Sequence, residues 1–447
     1  MLFKNQKHII KNGKNQYLKE IRRNVLEIFT SAIESVDPYN VVRSKINNNK
    51  IIFNSEKFDI SNYKNIHLIG FGKASIGMAK AVYDSISIKK GAIITNEINN
   101  SFKKNGLNVL YGTHPIPSEK NINATNKLIN ILKNCNKNDL LIVLISGGGS
   151  ALFCKPRVSL LDLQKVTNLL LKSGADIKEI NTIRKHLSYV KGGQLAKLAN
   201  CTVISFIISD IIGDPIEFIA SGPTYPDSTT FIQAKKILEK YDLWLKIPLS
   251  TKRIIDEGVA GNIPETPKDK DSAFENVFNF IVANNKMACC AADKKAKELG
   301  YKTMILTTLL DGYAKDRGKF LVEKALNYQT NAKKMIFISG GETTVKVKGK
   351  GIGGRNQEMV LAGVNKIGKN NIVFSSFSTD GIDGNSTAAG AIADTYTLER
   401  AKEKKLNPNI FLKENNSNKF FEKLNDNFIT GSTGTNVMDI QLLIKFK

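Results

Sequence analysis

IHLIGFGKASIGMAKAV (66–82) joins an apolar run, interrupted only by His67, to a glycine turn and then to a segment whose apolar residues follow helical spacing. A continuous apolar run suits a strand buried on both faces, and that happens when helices cover both sides of a parallel sheet. The pattern recurs. GAIITN (91–96), LNVLYGT (107–113), DLLIVLIS (139–146) and CTVISFIIS (201–209) read as strands, with helices expected over 18–36, 118–134 and 231–241. Ser159 and Asp162 form a capping pattern ahead of LQKVTNLLLKSG, another helix. The expected class is α/β with a mainly parallel sheet.

At 447 residues the chain exceeds one ordinary core, so two domains are expected. Pro248, Pro264, Pro267 and the charged run KDKD interrupt the rhythm over 246–276. A second alternation starts at VFNFIVAN (277–284) and continues through YKTMILTT (301–308), a strand ending at Ser339, and NIVFSSFS (371–378). The expected layout is a basic extension (1–17) standing before the fold, an N-terminal domain (18–245), a connection (246–276) and a C-terminal domain (277–447).

A formal net charge of +24 raises the question of nucleic acid. The lysines are scattered, with no basic block and no interleaved aromatic platform, so a field that attracts anionic substrates is the preferred reading and no nucleic-acid partner is expected. The longest apolar runs are strand-length, too short for a membrane span. Five cysteines form no CxxC pair, which points to a reducing, cytoplasmic setting without structural metal. The basic first residues lack the long apolar region of a secretory signal.

In open α/β sheets, ligands bind beyond the carboxyl ends of the strands. That rule selects Gly70, Gly72 and Lys73; Ser146, Gly147, Gly148, Gly149 and Ser150; Asp210; Gly340, Gly341 and Glu342; and Asp380 and Asp383. In SGGETTVKVKGKGIGGRNQE (339–358), a glycine-rich turn delivers Arg355, Asn356, Gln357 and Glu358 to a helix start. Glycine allows close backbone approach, and arginine offers a planar fork to phosphate or carboxylate. Each segment also reads as an ordinary turn. GFGKASIG (70–77) is neither a dinucleotide fingerprint, since Ser75 replaces the third glycine, nor a Walker A loop, since Met78-Ala79 replace Lys-Ser/Thr. SGGGS (146–150) is the stronger candidate for an anion nest. Asp380 and Asp383 bracket a glycine and could hold Mg²⁺ or simply make a turn. The four histidines offer no metal-ligand pair, and GxSxG is absent.

Taken together, GFGKAS (70–75), THPIP (113–117), SGGGSAL (146–152), EINTIRKHLSYVKGG (179–193), SDIIGDP (209–215), IASGPT (219–224), SGGETTV (339–345), GKGIGGRNQE (349–358), DGIDG (380–384) and GTNVMDI (434–440) resemble the glycerate 2-kinase family, whose C-terminal part is the MOFRL domain. The resemblance covers about 18–447. It implies a Rossmann-like N-terminal domain, a smaller α/β C-terminal domain and a cleft between them. It also implies ATP-dependent phosphorylation of D-glycerate at O2. Lys73, Asp210 and Arg355 match the family's catalytic positions. Gly72, the 146–150 loop, Gly340, Gly341, Glu342, Asn356 and Gln357 would bind the nucleotide, and Asp210, Asp380 and Asp383 would hold Mg²⁺. A homodimer is compatible with this. Asn385, Ser386 and Thr387 depart from the family's GPTDAAG pattern, as do Ser432 and Met438 from TGPTGTNVND. The alternatives are 3-hydroxyl regiochemistry or an NAD(P)H-dependent hydroxypyruvate reductase.

Overall fold

In the computed structural model, which describes residues 2–97 and 102–447, the opening run forms β1 (Ile66–Phe71), buried at every position. The glycine turn feeds α1 (Ser75–Tyr83). The next strands are β2 (Lys90–Thr95), β3 (Leu107–Tyr111), β4 (Leu140–Ile145), β5 (Thr202–Ile208) and β6 (Val277–Ala283). Between them lie α2 (Glu119–Lys133), α3 (Leu160–Ser173) and α4 (Ile177–His186). The sheet order is β3-β2-β1-β4-β5-β6. Pairs β1–β2, β2–β3, β1–β4 and β4–β5 are parallel. This is the doubly wound Rossmann order, in which the strand sequence reverses between β1 and β4 and opens a crevice at their carboxyl ends. Ser159 caps α3 as expected, its Oγ accepting the Asp162 amide at 3.1 Å.

The chain folds into two compact units, neither continuous in sequence. The Rossmann-like unit comprises Pro38–Ser209 and Asp214–Val282; the other comprises Met1–Asp37, Asp210–Gly213 and Ala283–Lys447. Two expectations change. The run 277–283 opens no second domain but joins the first sheet as β6, because a uniformly apolar strand reads the same in either sheet. The segment 246–276 is woven into the Rossmann-like unit: it carries a helix (Leu249–Val259), Glu265 accepts the Phe231 amide at 2.8 Å, and Thr266 donates to Asp227 at 2.9 Å. The prolines that suggested a linker include Pro248, which starts that helix.

The second unit is built on β7 (Lys302–Leu310), β8 (Lys334–Gly341), β9 (Ile372–Ser378), β10 (Gly390–Asp394), β11 (Asn427–Phe428) and β12 (Asp439–Phe446), in the order β7-β8-β12-β9-β10-β11. Only β7–β8 is parallel; β12 runs antiparallel between β8 and β9, and β10 and β11 continue antiparallel. Helix α5 (Arg355–Ile367) buries Met359, Val360 and Val364 in one apolar cluster with Phe337 and Phe374. Each such side chain contributes about 1.5–3 kcal/mol on leaving water.

The N-terminal residues are part of this unit, not an extension before it. Phe3 is buried with its ring centroid 5.5 Å from that of Phe377 and 5.4 Å from that of Phe428. Asn5 donates to the Asn427 carbonyl at 2.8 Å. Arg22, on the helix Gln16–Glu34, is fully buried and donates to Asp394 at 2.6 and 2.8 Å and to Asp426 at 2.7 Å. Lysine-rich composition hid this, since the apolar anchors Phe3 and Ile9 sit in short apolar stretches, Leu2-Phe3 and Ile9-Ile10, among polar residues.

Candidate active site

At the reversal point of the Rossmann-like sheet, the turns after β1 and β4 are knitted to each other. The Lys73 amide donates to the Gly147 carbonyl at 2.9 Å, the Ala74 amide to Ser146 Oγ at 3.1 Å, and the Ser146 amide to the Phe71 carbonyl at 3.2 Å. Gly72 has φ +127°, and a Cβ there would collide with Ser146 Oγ, so only glycine permits this approach. Gly148 is left-handed at φ +82°. The amides of Gly147 and Gly148 donate to no group among the described residues, which is the open arrangement of an anion nest. The aliphatic part of Lys73 and the His114 ring flank Gly148, lying 3.5 and 3.1 Å from where a Cβ would stand. Burial, then the neighbouring Lys73 charge, pulls His114 below its ordinary pKa and favours a neutral ring. Ser146 and Gly149 are buried and shape the loop. Ser150 Oγ is 2.8 Å from Ser221 Oγ, and Lys191 Nζ donates to the carbonyls of Ser150 (2.6 Å) and Phe153 (2.9 Å), fixing the loop from beneath.

In the second unit, strand register assembles the charges. Asp439, the first residue of β12, pairs with Gly341 at the end of β8 and with Ser378 at the end of β9. It therefore sits between Glu342 on one side and Asp380 on the other, below the start of α5. Arg355 reaches it with Nε (2.5 Å) and Nη2 (3.0 Å), and reaches Glu342 with Nη1 (2.6 Å). One Nη1 and one Nη2 proton remain for an incoming ligand. A cavity of 540 Å³ adjoins, lined by Glu342, Thr344, Arg355, Gly384 and Asn415 among others. Burial raises the Glu342 carboxyl to about 7, against the pull of Arg355 and helped by the negative charges of Asp439, Asp210 and Asp380. Its side chain keeps 40% of its surface, and solvent softens that push.

Several expected ligands have other work. Asp383 is buried, and its oxygens accept the amides of Asn356 (3.0 Å) and Gln357 (2.9 Å) together with both side-chain amides. It is the N-terminal anchor of α5, with its lone pairs taken, and burial raises it to about 6; it leaves the metal set. Asn356 and Gln357 are fully buried, bound to Asp383, Ser376, Ser386 and Asn418, and leave the nucleotide set. Gly340 and Gly341 are buried packing positions: a Cβ on the first would strike Asn285 and Cys289, and on the second Leu310. Glycines at a strand end serve close packing as readily as ligand approach, and sequence cannot separate the two. Ser386, in the departure from the family pattern, donates to the Asp383 carbonyl at 2.8 Å and so supports the same anchor. Met438, where asparagine is expected, stands at φ +68°, a region that asparagine enters more easily.

Asp210 belongs with the second unit, and both it and Asp380 act on Glu342, so Glu342, Asp380, Asp210 and Asp439 share one local field. Among the described residues no group of three His, Cys, Asp or Glu has the geometry to hold a metal by itself. Magnesium bound to a nucleotide needs only one or two protein carboxylates, and the negative field at Glu342 suits a cation, so Asp210 and Asp380 fit such a role while Asp383 does not. Asp439 was missed as a site residue. Its signal was present in GTNVMDI, an acid at the first residue of a strand, but only register reveals what it faces. Among the described residues no helix is long and apolar enough to cross a membrane.

Two family models match the chain in succession. The model described as a domain of unknown function (DUF4147) matches residues 24–256, and the MOFRL family model matches 335–439. The chain is 42% identical to a glycerate 2-kinase of Pyrococcus horikoshii, over 95% of this chain and 97% of the relative. It is 38% identical to a D-glycerate 2-kinase of Thermotoga maritima, over 94% of this chain and 98% of the relative. A crystal structure of glycerate kinase from Thermotoga maritima superposes with a TM-score of 0.85 at 36% identity, covering 96% of this chain and all of that one. With likeness running end to end in both sequence and fold, the chain belongs to the glycerate 2-kinase family.

Proposed function

We propose that this protein transfers the terminal phosphoryl group of ATP to the 2-hydroxyl of D-glycerate, releasing 2-phosphoglycerate and ADP. The observation that carries the reading is the end-to-end likeness to glycerate 2-kinases. The geometry supplies what phosphoryl transfer asks for, which is positioning and neutralisation of spreading charge. The amides of Gly147 and Gly148, with Lys73 beside them, cradle an anion in one unit. In the other, Asp439 and Glu342 hold the Arg355 fork and leave two of its protons uncommitted. Asp210 accepts the proton leaving the C2 hydroxyl, or Asp210 and Asp380 would hold Mg²⁺, which would supply shielding of the triphosphate's charge. The setting is cytoplasmic, in keeping with five free cysteines.

The test is incubation of the full-length protein with D-glycerate and Mg-ATP, coupled to enolase. Signal without phosphoglycerate mutase is the expected result. Signal that requires the mutase would move the reaction to the 3-hydroxyl, and NADH consumption with hydroxypyruvate in place of ADP release would replace the kinase by a reductase.

A further inference from the structure

A separate pocket of 360 Å³ lies wholly within the Rossmann-like unit. One side of it is a face of α3: Leu163, Gln164, Thr167, Asn168 and Leu171 recur at helical spacing and all line it. Pro115, Ile116 and Pro117 line it as well, as do Leu187 and Arg184. Ile116 and Leu171 are 61% and 62% exposed, apolar side chains left uncovered at a concave site. The segment EINTIRKHLSYVKGG contributes Arg184 and Lys191 to this pocket, and the roles given above to the nest and the Arg355 cluster leave Arg184 unused.

Arg184 makes no hydrogen bond or ion pair among the described residues, and burial lowers its pKa, so its guanidinium carries an uncompensated charge in an apolar surround. The side chains of Thr167 and Asn168, both on α3, make no hydrogen bond among the described residues. Gln164 gives one amide proton to the Pro117 carbonyl at 2.9 Å and leaves its oxygen unused. Ser150 belongs both to this pocket and to the loop of the anion nest.

We infer that this pocket seats the nucleoside of the phosphoryl donor, with the Arg184 guanidinium stacked on the base and Gln164, Thr167 and Asn168 reading its polar edge. Apolar walls with a few convergent polar groups are the usual character of such a site, and a guanidinium without a carboxylate stacks well on an aromatic ring. Glycerate is the poorer occupant, since every one of its carbons bears oxygen and it has no face for proline, isoleucine and leucine. From the pocket, the phosphate chain would leave past Ser150 toward the free amides of Gly147 and Gly148. Lys191 is a positioning residue here, because its ammonium is spent on the carbonyls of Ser150 and Phe153.

This inference rests on the kinase reading, so the experiment separates the two. ADP binding to the full-length protein is measured by calorimetry without glycerate, for the wild type, Arg184→Met and Leu171→Trp, alongside KM for ATP and for glycerate. Leu171 is exposed enough that its replacement leaves the core intact, and melting curves confirm folding of both variants. The expected result is ADP affinity weakened about tenfold in each variant, KM for ATP raised in step, and KM for glycerate unchanged. Unaltered ADP affinity in both folded variants, or a rise confined to the KM for glycerate, would overturn the pocket's assignment. Loss of ADP binding in the variants of a protein that phosphorylates no glycerate would uphold the pocket and reject the kinase reading.

Discussion

Two arginines of the same unit each grip two carboxylates, and they are built for opposite ends. Arg22 is fully buried between Asp394 and Asp426, which are also fully buried, and Arg400 closes the set by pairing with both acids at 3.2 and 2.7 Å. Two cations face two anions. Burial pushes the Asp394 carboxyl up, and Arg22 and Arg400 more than reverse it, leaving it below its ordinary value. Arg355 keeps 29% of its side-chain surface and stands alone against Asp439 and Glu342, with Asp210 and Asp380 adding to the field. There the carboxyl of Glu342 is pushed up. Ion pairing alone therefore does not distinguish scaffold from site. What distinguishes them is whether the charges close locally or leave a surplus for an incoming partner.

The largest effect is expected where the charges close. Arg22→Leu leaves two carboxylates buried without their main partner and should cost about 3–5 kcal/mol of stability, read as a lowered midpoint in a denaturant titration. The folded fraction should keep its kcat. A loss under about 1 kcal/mol would mean that water reaches the pair and that the N-terminal helix is not held by it.

Arg355→Ala should reverse that profile. Removing the fork should lower kcat on the order of 10²–10³-fold, the usual cost of deleting an oriented charge contact. Its melting temperature should fall less than that of Arg22→Leu, because Glu342 already tends toward its protonated form and Asp439 keeps its ladder position. Near-normal kcat/KM in a folded Arg355→Ala protein would return the cluster to a purely structural role.

How much of this the sequence disclosed depends on the range of the signal. The Rossmann-like strands were legible because each is a mostly apolar run between turn residues, and the turns carrying Gly72, Lys73 and the 146–150 loop followed from strand ends. The placement of 277–283 was not, because sheet membership is a long-range pairing that local composition does not encode. The same holds for Asp439. Its neighbours in sequence are apolar, and its partners Arg355 and Glu342 lie some way up the chain, brought to it by β12 running between β8 and β9. Asn356, Gln357 and Asp383 failed differently: polar residues at a glycine turn were read as facing a ligand, whereas they satisfy each other beneath it.

A smaller effect tests the balance of the closed set. Arg400→Gln leaves Arg22 to serve both acids and should cost about 1.5–3 kcal/mol at neutral pH. Asp394 has a depressed pKa, so the stability it supplies is present above the unfolded value of 3.8 and is lost as acid protonates the folded form. The gap between Arg400→Gln and the wild type should therefore be widest above about pH 4 and close below it. A gap independent of pH would assign Arg400 a packing role instead of a charge role.

The smallest effect belongs to Glu342, and it carries the sign that separates the two clusters. A carboxyl raised from 4.5 to about 7 binds its proton better when folded. Its contribution to stability is complete below pH 4.5 and is lost as pH rises toward 7, the reverse of Asp394. With 40% of the side chain exposed, the energy is discounted to about 1 kcal/mol or less. Asp383, raised from 3.8 to about 6, falls in the same direction at lower pH, so the window that isolates Glu342 is pH 6–7. Glu342→Gln should flatten the melting temperature across that window. Mg²⁺ should stabilise the wild type more at about pH 8 than at about pH 5, since the ion and the proton compete for one negative field. A slope that survives in Glu342→Gln would place the surplus charge on another group, and Mg²⁺ stabilisation indifferent to pH would detach the metal from the Arg355 cluster.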